Sequence, residues 1–201
     1  MGIISSVLLG SLMALIKDDF KYFFAYSAIA NNGFLLVPLI HYSILSFFSL
    51  SYYLISYNIL ISIIFIPFLF LKKADNSILL SNLRNLIYLK KYNICVALCF
   101  ISAIFSLAGV PPFIGFVAKL NILISAFLYA SPFVIFCLLL FSLISTYYYI
   151  RLSQIIFFSS PLQFSSAKAL NFTPSLLISL LTFLNFTPTL VSHLFFLSSS
   201  L

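Results

Sequence analysis

Charge is almost missing from this sequence. Only 6% of its 201 residues are Asp, Glu, Lys or Arg, against about a quarter in an ordinary soluble domain. That shortage excludes a soluble globular fold, and the 63% of residues that are hydrophobic point to an integral membrane protein. Carboxylates are scarcest: Asp18, Asp19 and Asp75 are the whole supply, all in polar turns or loops. Paired acid–base work inside the membrane is therefore closed to this chain alone, and no catalytic set is expected. Cys95, Cys99 and Cys137 match neither a zinc pattern nor a disulfide framework, so no metal site is expected and they read as small apolar residues. No phosphate-cradling glycine loop is present. Tryptophan is absent, while Phe, Ile, Leu, Ser, Asn, Lys and Tyr dominate. That bias resembles translation from an AT-rich genome such as an organelle's. The N-terminus has no cationic stretch before its apolar run, so no cleavable signal is expected.

What remains is a set of long apolar runs divided by a few charges. A bilayer crossing needs about 20 residues. The runs predict an all-α membrane domain with about six spans, over residues 1–16, 22–40, 44–71, 92–128, 133–158 and 172–198. The split near residue 41 rests on Pro38, His41 and Ser43. The fourth run exceeds a straight span and carries Gly109, Val110, Pro111 and Pro112, so it reads as two half-helices; proline removes a backbone donor and clashes with the preceding turn. The sixth has a candidate kink at Pro188. With six crossings, the loops at 17–21, 72–91 and 159–171 share one side. That side collects every Lys and Arg except Lys119, if Arg151 snorkels to it. The formal net charge of +7 thus reads as an inside-positive face and not as a nucleic-acid surface. This face is expected toward the cytoplasm of a bacterium or the matrix of a mitochondrion.

Lys119 is the only charged side chain between Tyr92 and Ile150. An ammonium inside a membrane helix costs about 2.5–3.5 kcal/mol on insertion scales, so one found there usually lines a pathway or meets a partner. The neighbouring helix break supplies free backbone groups of the kind used in ion-translocating proteins. Snorkelling does not explain the residue: the nearer uncharged face lies about 9–14 residues away along a helix rising 1.5 Å per residue. Burial disfavours the ammonium, which makes Lys119 a candidate to gain and lose a proton. Tyr147, Tyr148, Tyr149 and Arg151 stand at the basic end of the fifth span. An aromatic belt accounts for them, and the functional alternative is hydroxyls, Tyr148 among them, feeding protons inward. His41, at the opposite interface, is either structural or a group that helps a proton leave. Ser27, Asn31 and Asn32 read as interhelical hydrogen-bonding groups.

Three segments carry a family resemblance. Gly10-Ser-Leu-Met-Ala-Leu, followed by Phe20-Lys-Tyr-Phe-Phe-Ala-Tyr-Ser-Ala-Ile-Ala and Asn32-Gly-Phe-Leu-Leu, is similar to "G-x-L-x-A-L … N-[IL]-K-R-L-L-A-Y-S-S-I-x-H-x-G-Y-L-L". The run Phe105-Ser-Leu-Ala-Gly-Val-Pro-Pro-Phe-Ile-Gly-Phe-Val-Ala-Lys119 resembles "x-S-L-A-G-[IV]-P-P-x-x-G-F-x-x-K", and Tyr147-Tyr-Tyr-Ile-Arg151 resembles "Y-Y-Y-[LI]-R". These motifs resemble the antiporter-like proton-pumping subunits of respiratory complex I. The resemblance implies the C-terminal part of a fourteen-helix fold of two inverted five-helix repeats, each with a broken helix. It implies that Lys119 is the lysine of the second broken helix, handling protons on the exit side. It further implies a multi-pass protein of the mitochondrial inner membrane, surrounded by lipid and by other membrane-arm subunits. NADH, FMN, iron–sulfur clusters and ubiquinone are expected on partner subunits, with no cofactor in this chain. Two departures matter. The family's helix-five glutamate and the lysines of helices seven and eight have no counterpart here, which suggests a separate chain supplying the earlier helices, or a remnant serving as scaffold. Asn31 stands where the family often has His, which removes a titratable group. A structural subunit without pumping and a related cation/proton antiporter are the competing expectations.

Overall fold

A computed structural model describes residues 2–40, 43–71, 83–86, 94–129, 131–158 and 172–187. The described residues form seven α-helices and two short 3-10 turns. In chain order the helices are α1 (Gly2–Ile16), α2 (Phe20–Leu36), α3 (Ile44–Leu71), α4 (Ile94–Ala108), α5 (Ile114–Tyr129), α6 (Pro132–Phe158) and α7 (Phe172–Phe186). The turns are Pro38–Ile40 and Leu83–Leu86. Three helical stretches, Phe20–Ile40, Ile44–Pro67 and Pro132–Phe158, are each long and apolar enough to cross a membrane. Helices α4 and α5 are short apolar pieces on either side of residues 109–113, the interruption that the paired prolines impose. Pro188 and its candidate kink lie outside the described residues, as does His41.

The packing is that of a protein whose outer solvent is lipid. Large apolar side chains such as Phe47, Phe127, Phe133, Phe136 and Leu143 are on the outside, while Ser11, Ser49, Ser106, Ser125 and Ser145 are buried. Most buried hydroxyls bond a carbonyl three residues back on their own helix, as Ser11 does to Leu8 and Ser125 to Ile122. With both environments apolar, close backbone approach holds the helices together. Val7, Gly10, Ser11 and Ala14 give α1 a small-residue face against α2. A Cβ on Gly10 would lie 2.6 Å from the Ala30 nitrogen and 2.8 Å from the Tyr26 oxygen, so only glycine permits this crossing. Helix α4 is the hub, packed against α3, α5, α6 and α7. Fully buried Asn185 of α7 donates to the Ser102 carbonyl of α4 at 3.3 Å.

One end of the bundle gathers charge. Arg151 of α6 pairs with Asp18 at 3.5 Å and donates to the Leu15 carbonyl at 3.3 Å, meeting an orphan acceptor at the end of α1. The Leu83 amide bonds the Asp18 carbonyl at 2.8 Å, which ties the Leu83–Leu86 turn to the same end. The paired side chains are 50% and 76% exposed, so screening leaves the pair little strength. Arg151→Ala is expected to cost less than about 1 kcal/mol, read as a small shift in thermal unfolding of the detergent-solubilised protein. A shift several times larger would show that Arg151 holds α1 and α6 together.

Candidate functional site

The site begins where α4 stops. Gly109 has φ +87°, the left-handed conformation that glycine adopts without penalty, and its amide bonds the Phe105 and Ser106 carbonyls at 3.1 and 3.0 Å. The Val110 amide also reaches the Phe105 carbonyl at 3.1 Å. The Pro111–Pro112 bond is cis. Past the prolines, the Gly115 amide donates to the Ser106 hydroxyl at 2.9 Å, so a side chain of the first half-helix caps the second.

This ending leaves the carbonyls of Leu107 and Ala108 pointing from the negative end of α4 with no further helix to receive them. Lys119, in the second turn of α5, folds back onto them. Its Nζ donates to the Leu107 oxygen at 2.7 Å, to the Ala108 oxygen at 3.2 Å and to the Ser145 hydroxyl of α6 at 3.5 Å. Thr146 of α6 donates to the Ala108 oxygen as well, at 3.0 Å. The lysine is 8% exposed and its nitrogen lies 6.0 Å from the centre of the Phe34 ring on α2. The three N–H bonds of the ammonium each face an acceptor, and no carboxylate pairs with it among the described residues. Helix polarity and carbonyl dipoles therefore stabilise the charge.

Beside the lysine is a cavity with room for about one water molecule, lined by Tyr53, Ser56 and Tyr57 of α3, Ser106 of α4 and Lys119. From there a polar file continues. Tyr53 donates to the Asn31 side-chain oxygen at 3.1 Å, and the Asn31 side-chain nitrogen donates to the Tyr149 hydroxyl at 3.3 Å. Tyr57 stacks on Tyr53, their ring centroids 6.4 Å apart. Asn31 thus joins α2, α3 and α6. Ser27 instead bonds its own helix at Phe24, and Asn32 is exposed. The ring of Tyr148 lies 4.5 Å from that of Tyr149 and its hydroxyl makes no hydrogen bond among the described residues. Tyr148 lines a cleft with Lys17, Leu83 and Arg151 at the charged end.

Gly109, Pro111, Pro112 and Lys119, singled out in the sequence, thus come together in one place. Tyr148 belongs to the basic end and not to the lysine's own contacts. Ser106, Tyr53, Tyr57 and Ser145 were not singled out. The only trace of the first is its place inside the proline motif. Tyr53 and Tyr57 are four apart, one helix face, but so are many apolar residues in the same run.

The family profile described as "NADH:quinone oxidoreductase/Mrp antiporter, TM" matches residues 1–145. The chain belongs to this family. Among curated relatives, NADH-quinone oxidoreductase subunit N 2 of Opitutus terrae is 29% identical over 156 residues, which is 78% of this chain and 32% of the relative. The subunit N 2 of Rhizobium meliloti is 31% identical over 160 residues, covering 79% of this chain and 33% of the relative. The chain therefore spans about a third of the length of the curated relatives it matches. A chain of respiratory complex I from Thermus thermophilus, solved with bound aureothin, superposes on this antiporter-type domain with a TM-score of 0.72 at 26% identity. It covers 94% of this chain and 43% of that one. A chain of the Mrp complex from Dietzia sp. DQ12-45-1b has a TM-score of 0.76 at 16% identity, covering 96% and 43%, and shows the shared fold alone.

Proposed function

We propose that this chain is the C-terminal portion of a proton-translocating membrane-arm subunit of NADH:ubiquinone oxidoreductase, the counterpart of NADH dehydrogenase subunit 2, and that Lys119 is its proton relay. The observation that carries this is the lysine nitrogen held on the Leu107 and Ala108 carbonyls inside the bundle, at the helix break. Burial at a cost of about 2.5–3.5 kcal/mol is opposed by a helix-end interaction of up to about 2 kcal/mol. The two are close enough that neither protonation state is locked in. When Lys119 gives up its proton, Ser145 can turn its hydroxyl from the Ser142 carbonyl, 2.7 Å away, toward the free amine.

Redox energy would come from partner subunits that carry NADH, FMN, iron–sulfur clusters and ubiquinone. A separate chain would supply the helices that precede this portion in the longer relatives. The organelle-like composition supports the mitochondrial inner membrane as the location. The likeness to the Mrp complex favours a second reading, a component of a cation/proton antiporter. Isolation of the native assembly separates the two. NADH-dependent quinone reduction, coupled to acidification on one side of sealed vesicles, is the expected result. Cation-driven proton exchange without NADH oxidation would favour the antiporter. An assembly with NADH oxidation and unchanged pumping after substitution of Lys119 would leave the chain a structural subunit.

A further inference from the structure

The file that runs from Lys119 to the basic end has one link unlike the others. It passes from the cavity shared by Lys119, Tyr53 and Tyr57, through Asn31, to Tyr149 and Tyr148, and so to the cleft lined by Lys17 and Arg151. A hydroxyl has one proton to give and lone pairs to receive another on the same atom, so it can pass a proton along by turning. A side-chain amide cannot. Its acceptor is oxygen and its donor is nitrogen, and the nitrogen has no lone pair basic enough to accept a proton in exchange for one it gives up. Exchanging the amide's two ends, which X-ray-style placement alone does not distinguish, leaves the consequence unchanged.

Asn31 is 3% exposed, and both its ends are engaged, by Tyr53 at 3.1 Å and by Tyr149 at 3.3 Å. Swinging it aside would leave buried polar groups unpaired, which costs about 1–3 kcal/mol each. We infer that Asn31 is an insulating joint: it fastens the tyrosines of α3 and α6 into one network while stopping protons from running between Lys119 and the basic face along it. The reading rests on the proton-relay role of Lys119 and adds a direction to it. Protons reaching Lys119 from the basic side must use another path, and the tyrosine file cannot short-circuit the gradient. The residue at position 31 thus controls leak.

The test uses the native assembly in sealed vesicles, with an imposed pH gradient, no substrate, and passive proton flux read from a pH-sensitive dye. Asn31→His places a group that accepts on one nitrogen while donating from the other, and Asn31→Ser leaves a hydroxyl with space for water. Either is expected to raise the passive flux several-fold. Asn31→Leu, of similar size and unable to conduct, is expected to match wild type. The double variant Asn31→His/Lys119→Met is expected to return to the wild-type flux, since the opened file then ends at no titratable group. Wild-type flux in both the His and Ser variants, with normal amounts of chain in the membrane, overturns the inference. So does an equal leak in the Leu variant, which would show disturbed packing, or a leak that survives Lys119→Met. Passive flux is measured without turnover, so failure of the pumping role itself would register separately, in substrate-driven acidification.

Discussion

Lys119→Met is expected to remove most substrate-driven proton translocation while the chain still accumulates in the membrane. A methionine occupies much of the space of the lysine stem, and replacing a buried charge by an apolar group of similar volume is often neutral for stability. What is lost on the structural side is the contact of a cation with the end of α4, worth about 0.3–1 kcal/mol and at most about 2. On the functional side, the atom that takes and returns the proton is gone, and positioned proton-transfer groups contribute about a hundredfold or more. Lys119→Arg keeps the charge and can reach the Leu107 and Ala108 carbonyls, but a guanidinium does not release its proton. It is expected to assemble better than the Met variant and to pump no better. Vesicle acidification per quinone reduced, with the amount of chain checked by immunoblot, reads both outcomes. Pumping restored by arginine would mean that position 119 needs only a fixed charge.

Gly115→Val is expected to have the largest structural effect of any glycine replacement in the described helices. A Cβ at Gly115 would overlap the Ser106 backbone carbonyl, which cannot swing away as a side chain could. The Gly115 amide bond to the Ser106 hydroxyl, 2.9 Å in the native chain, would be lost at the same time. Overpacking at about 1–3 kcal/mol and a lost hydrogen bond at about 1 kcal/mol act together at the contact of α4 and α5. The same displacement carries Lys119 away from the carbonyls it holds, so whatever protein accumulates should pump poorly. Gly2→Val is the control, since a Cβ there meets nothing within 4 Å and near-normal accumulation is expected. Comparable accumulation of the two variants, measured in the same membranes, would contradict the close packing described at the break.

The helices and the break were legible because their causes are local. A span is announced by the absence of charge over its length, and the interruption by adjacent prolines after Gly109. Lys119 stood out for the same reason, as a single cation in an apolar run. The network around it was not legible. Tyr53, Asn31 and Tyr149 lie far apart in sequence, and their meeting depends on how α2, α3 and α6 are rotated about their axes. In a soluble helix an apolar stripe fixes that rotation. Here lipid-facing and core-facing positions are both apolar, so the pattern carries little information about which face turns inward. The inward faces are marked instead by small residues and hydroxyls, such as Gly10 against Ala30 and Ser106 against Gly115, and these are hard to separate from the general abundance of serine. The pairing of Arg151 with Asp18 escaped for a related reason: the sequence placed both at one membrane face but gave no indication that α1 and α6 are neighbours there. His41 lies outside the described residues, and its suggested part in proton release stays an expectation from sequence.

The central claim, that the Lys119 amine changes protonation as the protein works, is open to direct observation. Infrared difference spectra of the native assembly, recorded with and without substrate, with lysine nitrogen isotopically labelled and Lys119→Met as the blank, isolate the vibrations of this one side chain. Loss and return of the ammonium band at Lys119 during turnover is the expected result. An ammonium signal that stays constant while protons are translocated would contradict the account.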